Sequence, residues 1–271
     1  MSFNARYDAV RTKNGSRLCV GLDTDPAWIP EHLRDAPNPQ AAFNRAIIEA
    51  TSDLCVAYKM NLAFYESNGS AGHAALEETL DAIPEGILTI GDAKRGDIGN
   101  TAAHYSRAMF ETWGFDATTV SPYMGTDTIA TYFDHGSRCV FVLALTSNPG
   151  SSKFQRIADE NGTLYERVID ACLEEFGDAD QLGFVVGATH PDELAAVRGR
   201  VGADTPLLIP GIGAQGGDAE ATVRANAGGI GFINVSRGIS KASSGEDFAE
   251  AARAAALEFR DALASADPVL G

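Results

Sequence analysis

Hydrophobic residues along this chain come in short, nearly continuous runs that are separated by longer amphipathic segments. Eight such runs, rich in Val, Ile and Leu and bounded by turn residues, predict β-strands. Runs without polar alternation are typical of parallel strands that are buried on both faces. The predicted strands are residues 18–23, 54–60, 86–92, 117–121, 139–145, 182–186, 206–209 and 231–235.

The segments between these runs have helical periodicity, and several begin with cap signals. Asn38 precedes Pro39, which predicts a helix N-cap followed by a proline in the first turn. Thr189 and Ser244 stand before two further predicted helices, the second of which extends to about Ala264. Residues 3–13 predict a short extra helix that closes the bottom of the fold.

Eight strand–helix units without a linker predict an α/β fold, a single (β/α)₈ TIM barrel that spans residues 1–271. The length of 271 residues suits this class, whose members typically have about 250 residues. A doubly wound sheet is the alternative, but no glycine-rich turn follows the first strand. Two long connections, 24–39 and 147–160, are predicted to be functional or mobile.

Composition narrows the classes of partner. The chain has 37 acidic and 21 basic residues, and its net charge of −16 would repel nucleic acid and anionic membranes. No run approaches the roughly 20 apolar residues of a membrane span, and the N-terminus lacks the apolar run of a secretory signal. The four cysteines share no metal-type spacing and predict buried, reduced thiols. We therefore expect a cytoplasmic protein that acts on a small molecule.

The most informative polar segment, Asp92-Ala-Lys94-Arg-Gly-Asp97, directly follows the third hydrophobic run. Because residues two apart on a strand share a face, Asp92 and Lys94 are predicted to point the same way. Asp97 lies just beyond, where the chain should turn into a helix, and Lys59 ends the second run. Active sites of barrels lie at the carboxyl ends of the strands, so these charges should meet there. Such a cluster is costly unless its members pair or do chemistry.

The loops after the seventh and eighth runs predict a phosphate site. The segment Pro210-Gly-Ile-Gly-Ala-Gln215-Gly-Gly lets backbone N–H groups approach an anion, and a helix that begins near Asp218 would direct its positive end there. Arg237, after the eighth run, offers a bidentate guanidinium. The histidines have no ligand spacing, and no Ser-His-Asp set or nucleophile elbow is present in the sequence.

Taken together, these residues resemble the orotidine 5′-phosphate decarboxylase family, in particular its longer-chain branch, over nearly the whole barrel. The most specific match is Asp92-Ala-Lys94-Arg-Gly-Asp97-Ile-Gly-Asn-Thr101, which matches the family's Asp-x-Lys-x-x-Asp pattern followed by a threonine. Further matches are Leu22-Asp23, Tyr58-Lys59, Thr146-Ser147-Asn-Pro-Gly150, the segment from Pro210 through Gln215, and Arg237.

The resemblance implies the last step of de novo UMP synthesis, in which orotidine 5′-phosphate loses CO₂, and it implies no cofactor and no metal. It implies that Lys94 protonates C6 of the pyrimidine and that Asp92 lies near the departing carboxylate. The other implied roles are ribose binding by Asp23 and Lys59, pyrimidine binding by Ser147, substrate binding by Pro210, phosphate binding by Gln215 and Arg237, and sharing of Asp97 and Thr101 across the interface of a homodimer.

Three other functions stay open at this point. A related phosphosugar decarboxylase shares the Asp-x-Lys-x-x-Asp pattern but uses magnesium. A Schiff-base aldolase would use Lys59 or Lys94 as its nucleophile. A non-catalytic sensor would bind UMP without turnover, although it would have no use for a costly cluster of lysines and acids.

Overall fold

The eight predicted hydrophobic runs all become strands of one parallel barrel in the computed structural model, which describes residues 1–213 and 216–269. Two additional short strands, β6 and β7, pair with each other in an antiparallel hairpin outside the barrel. In chain order the strands are β1 Leu18–Gly21, β2 Ala57–Asn61, β3 Leu88–Arg95, β4 Ala117–Val120, β5 Cys139–Leu145, β6 Ala158–Asp159, β7 Gly162–Thr163, β8 Leu182–Val186, β9 Leu207–Pro210 and β10 Gly231–Val235.

The barrel closes in the order β1-β10-β9-β8-β5-β4-β3-β2, so every barrel strand has two parallel neighbours. Helices cover its outside. They are α1 Phe3–Asn14, α2 Pro39–Thr51, α3 Ala63–Glu66, α4 Gly69–Ala82, α5 Gly99–Arg107, α6 Leu164–Phe176, α7 Pro191–Val201, α8 Ala219–Asn226, α9 Arg237–Ser240 and α10 Phe248–Ala266.

Burial on both faces explains why the strands are continuously hydrophobic. Every residue of β1, β4, β8 and β10 is buried. All four cysteines are buried free thiols, and burial raises the pKa of Cys55 and of Cys172 to about 12. The described helices include none that is both long enough and apolar enough to cross a bilayer.

Helix α1 closes the bottom of the barrel, as the sequence predicts. The ring of Phe3 lies 5.7 Å from that of Phe232 and 6.4 Å from that of Phe141, measured between centroids. The Tyr7 hydroxyl donates to the carbonyl of Gly231, which begins β10, over 2.9 Å. Helix α1 therefore covers the amino ends of the strands.

A buried arginine reinforces this end of the barrel. Arg17 is 2% exposed and its guanidinium is paired with the carboxylate of Asp267, which follows α10. The same guanidinium donates to the carbonyl of Gly229 over 2.6 Å and to that of Gly228 over 3.0 Å. Because breaking a buried ion pair typically costs about 3–5 kcal/mol, this contact fixes the C-terminal segment firmly to the barrel.

Three local features differ from the sequence prediction. The connection from β4 to β5 has no α-helix but two 3₁₀ turns, Thr126–Thr128 and Ala130–Asp134, because Pro122 and the left-handed Gly125 and Gly136 interrupt a regular helix.

The caps of two helices also lie downstream of their predicted positions. Helix α7 has His190, not Thr189, at its N-cap position, and α10 starts after Asp247 instead of Ser244. Strand β3 continues to Arg95, three residues beyond its predicted end. This extension carries Lys94 within the strand.

Candidate active site

A cavity of about 290 Å³ opens at the carboxyl ends of the barrel strands. The described lining combines polar and charged groups with apolar ones. It includes the sequence-predicted residues Asp23, Lys59, Asp92, Lys94, Ser147, Pro210 and Arg237, together with Trp28, Asn61, Phe64, Asn148, Val185, Leu208, Gly211, Ile212, Asn234 and Ser236.

Four charged side chains form a row of alternating sign along one wall of this cavity. The Lys59 ammonium donates to Asp23 Oδ1 over 3.1 Å and to Asp92 Oδ2 over 3.2 Å. The Lys94 ammonium donates to the other oxygen of Asp92, Oδ1, over 2.6 Å. The charged ends of Asp92 and Lys94 therefore meet, as the sequence predicts. We call Asp23, Lys59, Asp92 and Lys94 the charge row. Each of these charges has a neighbour of opposite sign.

Burial and pairing act in opposite directions on the two central groups. Burial favours the neutral form of each, but Asp23 and Asp92 outweigh it at Lys59 and hold the pKa of that ammonium above its usual value. At Asp92 burial is likewise outweighed by Lys59 and Lys94, so the pKa of this carboxyl lies well below its usual range. Both groups are consequently charged at neutral pH.

Asp23 is oriented by two elements that are distant in sequence. Its Oδ1 accepts from the backbone N–H of Asn61, at the end of β2, over 3.0 Å, and its Oδ2 accepts from Ser236 Oγ over 2.8 Å. Asn234 Nδ2 donates to Ser236 Oγ over 3.3 Å. Asn234 Oδ1, which is buried, has no hydrogen-bond partner among the described residues. Asn234 and Ser236 were assigned no specific role from the sequence. Their two-residue spacing at the end of β10 could have indicated that both side chains point to the same face of the strand.

The backbone of Lys94 adopts a left-handed conformation with φ of 50°, which is rare for a residue with a side chain. Such a conformation costs about 1–3 kcal/mol and is retained where the surrounding structure requires it. The Lys94 N–H donates to Thr119 Oγ1 over 2.9 Å, and that hydroxyl donates to Asp92 Oδ1 over 2.9 Å. Sequence reasoning missed Thr119, whose one signal was a polar residue inside a buried strand.

The segments that follow β9 and β10, where the sequence predicts a phosphate site, line one part of the cavity through Pro210, Gly211, Ile212 and Arg237. Gly211 has φ of 111°, and its carbonyl accepts from the N–H of Gly217 over 3.0 Å. Helix α8 begins at Ala219 with Asp218 as its N-cap, close to the predicted position. Arg237 begins α9, is exposed, and makes no ion pair with any described residue. Gln215 lies outside the described residues.

Asp97 and Thr101 are not part of the described lining of the cavity. Asp97 accepts a hydrogen bond from the N–H of the adjacent Ile98 over 2.8 Å, and Thr101 is exposed on α5. Ile98 is 63% exposed, and Tyr123 and Met124, after the neighbouring strand β4, are 88% and 45% exposed. Ile98 lies within the segment that the sequence predicts to be shared with a second subunit, and Tyr123 and Met124 follow the strand next to it.

No group of three or more His, Cys, Asp or Glu side chains is placed to hold a metal ion within residues 1–213 and 216–269. The barrel, the charge row and the glycine-rich loop beside Arg237 define a class: a TIM-barrel enzyme that acts on a small anionic ligand at the carboxyl ends of its strands.

Comparisons with known proteins narrow this class to one family. The model of the "Orotidine 5'-phosphate decarboxylase / HUMPS family" matches residues 16–255. The chain is 47% identical over 259 residues to the orotidine 5′-phosphate decarboxylase of Herpetosiphon aurantiacus, covering 95% of this chain and 96% of the relative. It is 46% identical over 269 residues to that of Ralstonia pickettii, covering 97% and 98%.

Solved structures agree. The Leishmania donovani OMP decarboxylase superposes with a TM-score of 0.84 at 35% identity, covering 98% of both chains. The L. donovani UMP synthase gives a TM-score of 0.84 at 37% identity, covering 97% of this chain but 56% of that one. The chain belongs to the orotidine 5′-phosphate decarboxylase family, a family of carboxy-lyases.

The charge row predicts how acid affects stability. Because the pKa of Asp92 is depressed in the folded state, its ionised form stabilises the fold above the ordinary value of 3.8, and that stabilisation is lost as the pH falls below 3.8. We expect Asp92→Asn to lower the free energy of unfolding by about 3 kcal/mol at pH 7, because it breaks a buried pair. Urea denaturation at a series of pH values from 7 downwards should show that the difference in free energy of unfolding between the wild type and Asp92→Asn becomes smaller only below about pH 4.

The exposed Asp8, paired with Arg11 on α1, is the matched control. Asp8→Asn should change the free energy of unfolding by less than about 0.5 kcal/mol at every pH. A deficit of Asp92→Asn that already narrows between pH 7 and pH 5 would contradict a depressed pKa.

Proposed function

We propose that this chain decarboxylates orotidine 5′-phosphate to UMP and CO₂ and that Lys94 supplies the proton that replaces the carboxylate at C6. The proposal rests mainly on one observation: the Lys94 ammonium lies 2.6 Å from Asp92 Oδ1, at the rim of the barrel and within the charge row. The membership of the chain in the decarboxylase family identifies the reaction, while the role of each residue is our inference.

The reaction requires stabilisation of a carbanion. Cleavage of the bond between C6 and the carboxylate leaves an electron pair in an orbital that the ring cannot delocalise. A fixed ammonium beside C6 stabilises that pair electrostatically and then transfers a proton to it. CO₂ leaves with its carbon fully oxidised, so no redox partner is needed. Lys94 is left as a neutral amine and regains its proton from solvent.

Asp92 favours the same step by destabilising the bound substrate. An ionised Asp92 near the substrate carboxylate disfavours the bound substrate relative to a transition state in which that charge departs. Two like charges about 4 Å apart interact by about 4 kcal/mol at an effective dielectric constant near 20. The depressed pKa of Asp92 fits this role, because the carboxyl stays charged at neutral pH.

The remainder of the cavity suits the rest of a nucleotide. We assign the ribose hydroxyls to Asp23 and Lys59, the pyrimidine to Ser147, and the phosphate to Gln215 and Arg237. Pro210, which lines the cavity, contributes to substrate binding without an assigned part of the substrate. Ser147 Oγ is buried without a partner among the described residues, so a ligand can satisfy it. The volume of about 290 Å³ is at the small end of the range for small-molecule sites.

The arrangement of Lys59 supports chemistry without a metal. Its ammonium occupies the space between Asp23 and Asp92, where a divalent cation that bridged these two carboxylates would have to lie. This argues against the magnesium-dependent phosphosugar decarboxylase. The raised pKa of Lys59 also argues against a Schiff-base aldolase at this residue, because its neutral amine is scarce at neutral pH.

We further propose a C2 homodimer in which Asp97 and Thr101 of one subunit complete the site of the other. The exposed apolar residues Ile98, Tyr123 and Met124 follow two adjacent strands, β3 and β4, and their exposure supports such a contact. We also infer that residues 1–271 form a single catalytic domain. The four buried free thiols fit a reducing compartment such as the cytoplasm.

Purified, metal-stripped protein should consume orotidine 5′-phosphate, as followed by ultraviolet absorbance. Lys94→Ala should lower kcat by about 10⁴-fold or more, because both the carbanion-stabilising charge and the proton donor are removed. Lys13→Ala, an exposed lysine on α1 at the opposite end of the barrel, is the control and should keep wild-type activity. Lack of turnover by the wild type would refute the proposed reaction, and substantial turnover by folded Lys94→Ala would refute the proton donor.

The phosphate contact should contribute to catalysis although it is remote from C6. Binding energy at the phosphate can be used to orient and strain the reacting end of the substrate. We expect Arg237→Ala to lower kcat/KM by about 100-fold or more, the effect of losing a charged hydrogen bond of about 3 kcal/mol. Arg224→Ala on α8, whose side chain is 66% exposed, is the control. Steady-state kinetics that match the wild type for Arg237→Ala would refute the assignment.

The shared site can be tested by subunit complementation. Lys94→Ala and Asp97→Ala should each be inactive as homodimers. A mixed dimer has one site that contains both intact residues, so an equal mixture should recover about one quarter of the wild-type activity. In the control mixture, Lys94→Ala with Lys59→Ala, both lesions affect groups that each subunit supplies to its own site, so no activity should return. Equal behaviour of the two mixtures would contradict sharing of Asp97.

A further inference from the structure

We propose that Thr119 is a positioning residue that holds Lys94 and Asp92 in their reactive arrangement. Its hydroxyl is the only described side-chain group that is hydrogen-bonded both to the backbone of Lys94 and to the carboxylate of Asp92. This inference rests on the proposed function, because it assigns to Thr119 the geometry of the proton donor.

The register of the barrel places Thr119 opposite a bulge in β3. Gly91 pairs with Thr118 and Arg95 with Val120, so three residues of β3 lie opposite the single residue Thr119 of β4. These three residues are 92–94. A β-bulge of this kind leaves backbone groups without their regular ladder partners. The side chain of Thr119 replaces the missing partner for the N–H of Lys94.

The two hydrogen bonds are chemically linked. A threonine hydroxyl has one proton to donate and lone pairs that accept. Asp92 can only accept, since it is ionised, so the proton points to Asp92 Oδ1, and the lone pairs face the N–H of Lys94. The hydroxyl thereby fixes the backbone at one end of the Lys94 side chain and the carboxylate that binds its ammonium at the other end.

Thr119 is fully buried and does not line the cavity in the described structure. It therefore touches neither the phosphate side nor the ribose side of the site. Without its hydroxyl, the N–H of Lys94 loses its acceptor and the left-handed conformation of that residue loses its support. The ammonium would then be displaced from its best position over C6, while the remaining binding contacts stay in place.

The neighbouring Thr118 offers a closely matched control. It is also fully buried in β4, and its hydroxyl donates to the carbonyl of Gly91, on the same strand β3, over 2.9 Å. Thr118→Val and Thr119→Val remove the same group, keep a β-branched side chain and each break contacts with β3. Any general cost of a missing hydroxyl in this strand appears in both variants.

The test is steady-state decarboxylation of orotidine 5′-phosphate by wild type, Thr119→Val, Thr119→Ser and Thr118→Val. We expect Thr119→Val to lower kcat by about 100-fold, the scale of a misplacement of about 1 Å, while KM changes by less than about threefold. Thr119→Ser keeps the hydroxyl and should restore kcat to within about threefold of wild type. Thr118→Val should leave kcat near the wild-type value.

The possible outcomes separate the two levels of inference. A wild type without turnover contradicts the proposed function itself. An active wild type with an equally active Thr119→Val refutes the positioning role, as does an equal loss of kcat in Thr118→Val. If thermal unfolding shows that Thr119→Val does not fold, the test relies on Thr119→Ser, which retains both hydrogen bonds. Loss of kcat in a folded Thr119→Ser overturns the proposal.

Discussion

Alternation of sign along Asp23, Lys59, Asp92 and Lys94 is the constraint on which the rest of the site depends. A buried ion without a partner would neutralise, because desolvation favours the uncharged form. Here each charge is within hydrogen-bonding distance of an opposite one, so a carboxylate and an ammonium both persist where water is scarce. The chemistry needs those charges to exist before a substrate arrives, and the attraction of their neighbours keeps the buried Lys59 and Asp92 ionised.

The barrel converts this electrostatic pattern into fixed geometry. Lys59, Asp92 and Lys94 are carried by two adjacent strands, β2 and β3, whose first four residues are all buried. Fixed dipoles and charges on rigid elements need little reorganisation during reaction, which is how electrostatic catalysis becomes effective. The left-handed Lys94 shows that this precision has a local energetic cost, met by the packing of the surrounding barrel.

Sequence reasoning predicted the parts of the molecule that local pattern encodes. The eight strands and the closing helix α1 follow from hydrophobic runs and helical periodicity. Asp92 meets Lys94 as predicted, but in a bulge with a left-handed lysine and not in a regular strand. Contacts between distant segments were not predictable in this way. The bond from Ser236 to Asp23 and the bulge opposite Thr119 depend on strand register, which one sequence does not reveal. After β4, turn residues prevent the helix that the alternation of strands and helices predicts.

The two ends of the barrel have separate tasks, and this separation follows from the buried contacts of Arg17 and α1 at the closed end. Mutations there would alter how firmly the chain holds together without reaching the charged rim. Changes around these contacts can therefore alter the free energy of unfolding while the reactive groups stay unchanged, whereas loss of the Arg17–Asp267 pair itself would cost about 3–5 kcal/mol. An engineer seeking a hardier catalyst would begin at the same place.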